Sequence, residues 1–310
     1  MQQRRPSTDD QPDTVGDNGG GTAELIDQRT ELLARLGRAA PEVRSLTNRL
    51  DERLENGLTV RGLDPTDAAD RLLAVRLARS EPVNPLRSDA DLERRLAPDR
   101  QVFVIEHPDL VDRPLNVLWV ALCEQLPDRL DQILDVGVAE IDPSGATVAV
   151  FYSVWVVEKA FAGIGRASEL VAGASAALER SHPHIDLQTT MSPVPGFREW
   201  HRIHGTSGAG EPTGNPDLGS ACARYLTSLS PEGVPLDPVA RFHLGNGARL
   251  LRVIPDADDS ELGLERAFGL MANYRYAPED LEANRTLLAR GVVPTGEQVA
   301  ALLDRPATDG

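Results

Sequence analysis

VAVFYSVWVVEKAFAGIGRASELVAGASAALERSHPHIDLQTTMSPVPGF, residues 148–197, falls into four pieces. The first ten residues are a β-branched and aromatic run long enough to cross a sheet. The run breaks at Ala160 and is followed by Gly163-Ile164-Gly165-Arg166-Ala167. A helix starts at about Arg166, with Leu170, Val171, Ala174, Ala177 and Leu178 on one face. A short strand, Ile185 to Thr190, then leads to Met191-Ser192-Pro193-Val194-Pro195-Gly196-Phe197, where two prolines fix a turn. Strand, GxG turn and helix in that order suit an anion. Glycines let the backbone approach a pyrophosphate, and the free N–H groups of the helix N-terminus face it. The same spacing also serves a tight turn that only packs strand on helix.

Outward from this stretch, the chain predicts two more strands on the N-terminal side, Arg100-QVFVIEH and Leu115-NVLWVALC, with a loop from Pro108 to Pro114 between them. A short helix, Asp128 to Leu134, follows. A hairpin-type strand pair, a central strand and a GxG helix together predict a mixed α/β sheet. The repeated βαβ of a dinucleotide fold is missing, and Glu179, about where a ribose-binding acid would fall, lies inside the helix. On the C-terminal side, Glu199-Trp200-His201 starts a helix and a Gly-rich loop runs from Gly205 to Gly219. Cys222 to Leu226 is helical, and Arg249-LLRVI is a strand.

Residues 1–20 are polar and Gly-rich and read as a disordered tail. Residues 21–80 read as a small all-helical segment. Leu25, Ile26, Leu32, Leu33 and Leu36 form one stripe, and Val43, Leu46, Leu50 and Leu54 a second that stops at Asn56-Gly57. Asp64-Pro65-Thr66-Asp67 caps a third helix carrying Ala68, Leu72, Val75 and Leu77. Such a stripe can close a helical hairpin, dock on the remainder of the chain, 81–310, or join two copies in a homo-oligomer.

The chain has 310 residues, 41% of them hydrophobic, enough for one large core, and a net charge of −16. That charge leaves no basic surplus to neutralise phosphates, which argues against a nucleic-acid partner. Lys159 is the sole lysine, so a local anion site would rest on arginine. Two cysteines, Cys123 and Cys222, give no disulfide or zinc pattern and fit reduced thiols in the cytoplasm. No apolar run behaves as a signal peptide or reaches membrane-spanning length. His182, His184, His201 and His204 lack metal-ligand spacing with a carboxylate, and no G-x-S-x-G elbow occurs. Taken singly, His243 beside Phe242 and Leu244 reads as a hydrogen-bonded core residue, Ser192 as a turn former and Tyr276 as a rim aromatic.

Taken together, these segments resemble the malonyl-CoA decarboxylase family, in its catalytic domain related to the GNAT acyltransferase fold. The resemblance rests on Ile105-Glu-His107-Pro108, Pro114-Leu and Val120-Ala-Leu; on Phe151-Tyr-Ser153; and on Ser192-Pro-Val-Pro-Gly-Phe197. Asp237-Pro-Val-Ala with Phe242-His-Leu and Asn246-Gly-Ala248, and Gly269-Leu-Met-Ala-Asn-Tyr-Arg-Tyr276, complete it. These ordered motifs span residues 82 to about 280. The resemblance implies a GNAT-like mixed sheet with flanking helices, acting on an acyl-CoA substrate. It places the family's catalytic serine, histidine and tyrosine at Ser192, His243 and Tyr276. CoA phosphates would lie on the amides of Gly163, Ile164, Gly165, Arg166 and Ala167, and Asn246, Asn273 and Phe197 would be further substrate contacts. Losing CO2 from a 3-carboxy thioester leaves an enolate, so the site must desolvate the carboxylate, stabilise the thioester oxygen and protonate carbon. Ser192 is then the donor to the carboxylate or enolate, His243 the acid toward carbon and Tyr276 a positioning group. No metal or organic cofactor is implied, because the thioester is the electron sink.

The chain departs from the family pattern in three places. Gly165 stands where the family carries a functional glutamate, Ile254-Pro255 stands for an Asn-Trp pair, and residues 21–80 are shorter than the family's helical N-terminal domain. The first departure favours an alternative reading, an acyltransferase moving an acyl group from CoA to an amine or carrier protein; a third reading, a CoA-binding regulator without turnover, is opposed by the retention of Ser192, His243 and Tyr276.

Overall fold

The computed structural model describes residues 21–204 and 216–305. The tail expected at 1–20 and the loop stretch 205–215 lie outside the described residues. The run of apolar and β-branched residues that predicted a central strand forms β4 (Val148–Val156), flanked on one side by the antiparallel hairpin of β2 (Arg100–Glu106) and β3 (Asn116–Cys123). On the other side β5 (Leu187–Thr190) lies parallel to β4, joined to it by the helix α6 (Ala167–Ser181). The sheet is completed by β1 (Thr59–Leu63) at one edge and by β6 (Ser192–Pro193), β7 (Arg249–Ile254) and β8 (Met271–Tyr276) at the other, in the order β1-β2-β3-β4-β5-β8-β6 with β7 on β8.

Strand alternation divides the core between the two faces of this mixed α/β sheet. Leu118, Val120 and Leu122 of β3 and Ala149 and Phe151 of β4 face one cluster, while Val117, Trp119, Val148 and Val150 face the other. The second cluster is closed by α3 (Ala68–Arg79), α4 (Asp89–Arg95) and α5 (Asp131–Leu134). The first is closed by α6, by a hairpin of α1 (Thr22–Leu36) and α2 (Pro41–Leu54), and by C-terminal helices. Those are α7 (Phe197–His204), α8 (Pro216–Thr227), α9 (Pro238–Gly245), α10 (Glu261–Ala267), α11 (Leu281–Ala289) and α12 (Glu297–Leu303). Leu25, Ile26, Leu50 and Leu54 of the hairpin are fully buried in the shared core, each contributing roughly 1.5–3 kcal/mol by burial. These parts of the apolar stripes therefore dock on the remainder of the chain, whereas Leu36 and Leu72, expected on the same stripes, are exposed.

One expectation about residues 21–80 needs correction. The segment is not all-helical, because Thr59–Leu63 pairs antiparallel with Val102–Glu106 as the edge strand β1. Five residues carry too little periodicity to mark a strand, and the sheet edge supplies the order. The packing left a trace in α6. A Cβ at Gly173 would sit 2.6 Å from Val60 of β1, so this helix gives up a side chain where strand and helix meet. α8 begins at Pro216, inside the stretch expected to be loop.

The geometry of β4 prepares the site. Trp119 pairs with Ser153 and Val120 with Phe151, so Tyr152 is the extra residue of a β-bulge, which bends a strand and increases its twist. Pairing with β5 ends at Phe151–Thr190, and the chain then turns away through β6, which pairs with β8. Residues 152–156 consequently have a strand partner only on the β3 side, and a cleft opens between them and β6.

Candidate active site

The cleft holds about 370 Å³. Tyr152 to Val156 form one wall, and Met191, Ser192, Pro193, Val239, Phe242 and His243 the other; Ala167 and Asn116 stand at one end. An elongated, largely apolar ligand with an anion at one end fits such a shape.

Ser192, His243 and Tyr276 come from three separate elements and meet at the second wall, where Ser192 and His243 face the cleft and Tyr276 lies behind His243. Ser192 sits in β6, just past the point where β5 leaves β4. His243 lies in the last turn of α9, which Asp237 opens by accepting hydrogen bonds from the N–H groups of Val239 (2.9 Å) and Ala240 (2.8 Å). Tyr276 ends β8. Ser192 Oγ is 3.0 Å from His243 Nε2 and donates to Thr190 Oγ1 at 2.8 Å. His243 Nδ1 is 2.9 Å from the Tyr276 hydroxyl. The imidazole stacks on Tyr274, centroids 4.6 Å apart. The Tyr274 N–H donates to Thr190 Oγ1 at 3.1 Å, and Asn273 Nδ2 donates to the Thr190 carbonyl.

All three groups are buried, and burial sets their protonation. Desolvation pushes the His243 imidazole down to about 3, so the ring is neutral at physiological pH. A neutral ring carries one N–H, so one of its nitrogens donates and the other accepts. Burial pushes the Tyr276 phenol above the usual tyrosine range, against the opposing pull of the Asn246 side chain and Arg285. The row of hydroxyl, imidazole and phenol is therefore uncharged and able to move or hold a proton.

The three further contacts expected from the resemblance do not sit on the cleft wall. Phe197 is completely buried in an aromatic cluster with Trp200, Tyr225 and Phe268, because the first turn of α7 drives it into the core. Asn273 is also completely buried, and its amide holds the Thr190 carbonyl behind Ser192. Asn246 accepts from Ser168 Oγ at 2.6 Å and lies beyond Tyr276.

The GxG turn lies at the other end of the cleft. Gly163 has φ +93°, a backbone conformation that favours glycine. A Cβ at Gly165 would press to 3.3 Å on Val156, so this glycine lets the turn close onto β4. Two expectations about the turn change. Ile164 is buried in the core and its N–H already donates to the Phe161 carbonyl at 3.0 Å, so neither its side chain nor its amide is left for a ligand. The Arg166 N–H already donates to Asn116 Oδ1 at 3.0 Å, and its guanidinium pairs with Asp51 of α2 at 3.0 Å. α6 has no side-chain cap, so the amides of its first turn have no side chain closing them. Asn116, from the first position of β3, carries no sequence mark of this task; its amide also donates to the Trp155 carbonyl at 3.3 Å.

Among the described residues no three His, Cys, Asp or Glu side chains gather as metal ligands, and no helix is long and apolar enough to cross a membrane.

The family model of the malonyl-CoA decarboxylase C-terminal domain matches residues 58–217 and 214–309. A solved structure of malonyl-CoA decarboxylase from Rhodopseudomonas palustris superposes with a TM-score of 0.78 at 33% identity, covering 90% of this chain and 75% of that one. The mitochondrial malonyl-CoA decarboxylase of the goose Anser anser anser is 26% identical over 92% of this chain and 67% of its own length. That of Rattus norvegicus is 27% identical over 74% of this chain, which spans 56% of the rat protein.

Proposed function

The chain belongs to the malonyl-CoA decarboxylase family, and we propose that it releases CO2 from malonyl-CoA or a related 3-carboxy acyl thioester. The bond from the α-carbon to the carboxylate breaks, its electron pair moves into the thioester carbonyl to form an enolate, and the α-carbon then takes a proton. The observation that carries this reading is the buried, uncharged row in which Ser192 and His243 line an apolar cleft and Tyr276 backs His243. A carboxylate entering that cleft loses its water, which favours its departure as neutral CO2. Ser192 turns its single O–H from Thr190 Oγ1 to the carboxylate or to the developing enolate oxygen, while His243 Nε2 holds its oxygen in place.

His243 protonates carbon as a neutral donor. Tyr276 gives its hydrogen bond to Nδ1, so the ring N–H sits on Nε2, facing Ser192 and the cleft. The phenol passes a proton to Nδ1 as Nε2 loses its own, and the phenolate left behind regains a proton from solvent after the product leaves, so the row returns to its neutral starting state. The thioester's pantetheine arm runs along residues 152–156, and the CoA pyrophosphate lies on the amides of Gly163, Gly165 and Ala167 at the turn and the start of α6, since those of Ile164 and Arg166 are already bonded. No metal or organic cofactor enters, because the thioester takes up the electron pair. A cytoplasmic homo-oligomer belongs to the same reading. It is supported by two unbridged cysteines and by exposed Leu72 and Val111, and light scattering of the purified protein would test the assembly.

Mass spectrometry of the protein incubated with a panel of CoA thioesters, with and without amine acceptors, tests the reaction. The expected product from malonyl-CoA is acetyl-CoA with an equal amount of CO2. An acylated amine, or thioesters recovered unchanged, would contradict it.

A further inference from the structure

Arg29 stands in α1, ahead of the segment that the family model matches, yet it reaches across to the GxG turn. Its side chain is 2% exposed. Nη1 donates to the Ala160 carbonyl, Nη2 to the Ala162 carbonyl at 2.8 Å, and Nε to Thr47 Oγ1 of α2 at 3.0 Å. Among the described residues no carboxylate lies within ion-pairing distance of this guanidinium. Burial and the like charge of Arg38 disfavour its charged form; Asp51 favours it from farther away, but Asp51 is itself paired with Arg166. A cation buried without a counter-ion is expensive, and carbonyl dipoles alone offset it poorly.

The arrangement makes sense if an anion completes it. In a trans peptide the C=O and N–H point in opposite directions. Holding the Ala162 carbonyl toward α1 therefore aims the Gly163 N–H away from α1, and the positive φ of Gly163 lets the chain continue into α6 from that orientation. A Cβ at Gly163 would lie 3.8 Å from Arg29 Nη2, so the charge sits directly beneath the turn. Resting on the CoA reading above, we infer that Arg29 is a positioning residue for the CoA phosphates: it fixes the peptide plane that presents the turn's amides and supplies a buried positive charge behind them. The N-terminal hairpin then forms part of the substrate site.

The test compares binding of CoA with binding of pantetheine, which lacks the phosphates, by calorimetry on the full chain. Wild type is expected to prefer CoA. Arg29→Met should reduce that preference about tenfold, the scale of a lost hydrogen bond to a charged group, while leaving pantetheine affinity alone. Arg29→Lys keeps the charge but cannot span both carbonyls, and should recover part of the preference. If Arg29→Met does not fold, Arg29→Lys decides, with a preference reduced about threefold expected. A preference that survives unchanged in the folded variants, or equal loss of both ligands, would overturn the role of Arg29 alone. A wild type that bound CoA and pantetheine equally would overturn the phosphate site and this role with it.

Discussion

The two ends of the cleft are built in opposite ways. At the turn, Gly163–Ala167, the parts are charged or backbone groups held from outside: Arg29 on two carbonyls, Asp51 on Arg166, Asn116 on the Arg166 amide. At the other end, Ser192, His243 and Tyr276 are buried side chains of the C-terminal half, neutral and hydrogen-bonded in a row. A highly charged, hydrated ligand group suits the first end, where amides and cations replace its water. A reacting carboxylate suits the second, where water is excluded. The contrast teaches that binding and chemistry can be damaged separately.

The largest effect belongs to the chemical end. His243→Asn should lower kcat by about 10²–10⁴-fold and leave affinity for the CoA thioester nearly unchanged. A loss confined to KM would erase the distinction between the ends. Next in size is the support of the turn. Leu50 of α2 is fully buried, and Leu50→Ala should cost about 2–5 kcal/mol in a denaturant titration while kcat stays close to wild type under folding conditions. A variant of unchanged stability would show that the hairpin is not part of the cooperative core.

Acid sensitivity sharpens the neutral character of the chemical end. The folded state keeps His243 unprotonated down to about 3, whereas the unfolded chain binds that proton below about 6.5. In this window the unfolded state carries more protons, so stability falls as pH falls, by about 1.4 kcal/mol per pH unit from this group. Urea midpoints between pH 7 and 4 should thus decline more steeply for wild type than for His243→Asn; parallel slopes would place a protonated histidine in the fold. The smallest effect lies back at the turn. Asn116→Ala leaves the Arg166 amide without its partner, and should raise KM for the CoA thioester about tenfold with kcat within about twofold.

Much of this was legible in residue types. The apolar run of β4, the glycines of the turn and the helical stripe of α6 obey local rules, and the structure follows them. Ser192, His243 and Tyr276 were nameable only through ordered motifs, since nothing in their local sequence says that three elements converge. Arg29 and Asn116 were not legible at all. Arg29 meets carbonyls more than 130 residues away, and such a pair leaves no periodic mark in the chain. Phe197 and Asn273 sit inside the recognised motifs yet are fully buried, and a motif does not separate residues that line a cleft from those packed behind it. Ile164 gave a usable hint: a branched apolar side chain inside a glycine turn points to the core.

The central claim is that Ser192 and His243 act as one unit on the departing carboxylate and the enolate. The most direct measurement is CO2 release from malonyl-CoA by Ser192→Ala, His243→Asn and the double variant, with CoA ester binding checked in each. The account predicts that each single variant binds but loses about 10²–10⁴-fold in turnover, and that the double variant is scarcely worse than the poorer single one. Single variants that release CO2 at the wild-type rate would contradict it.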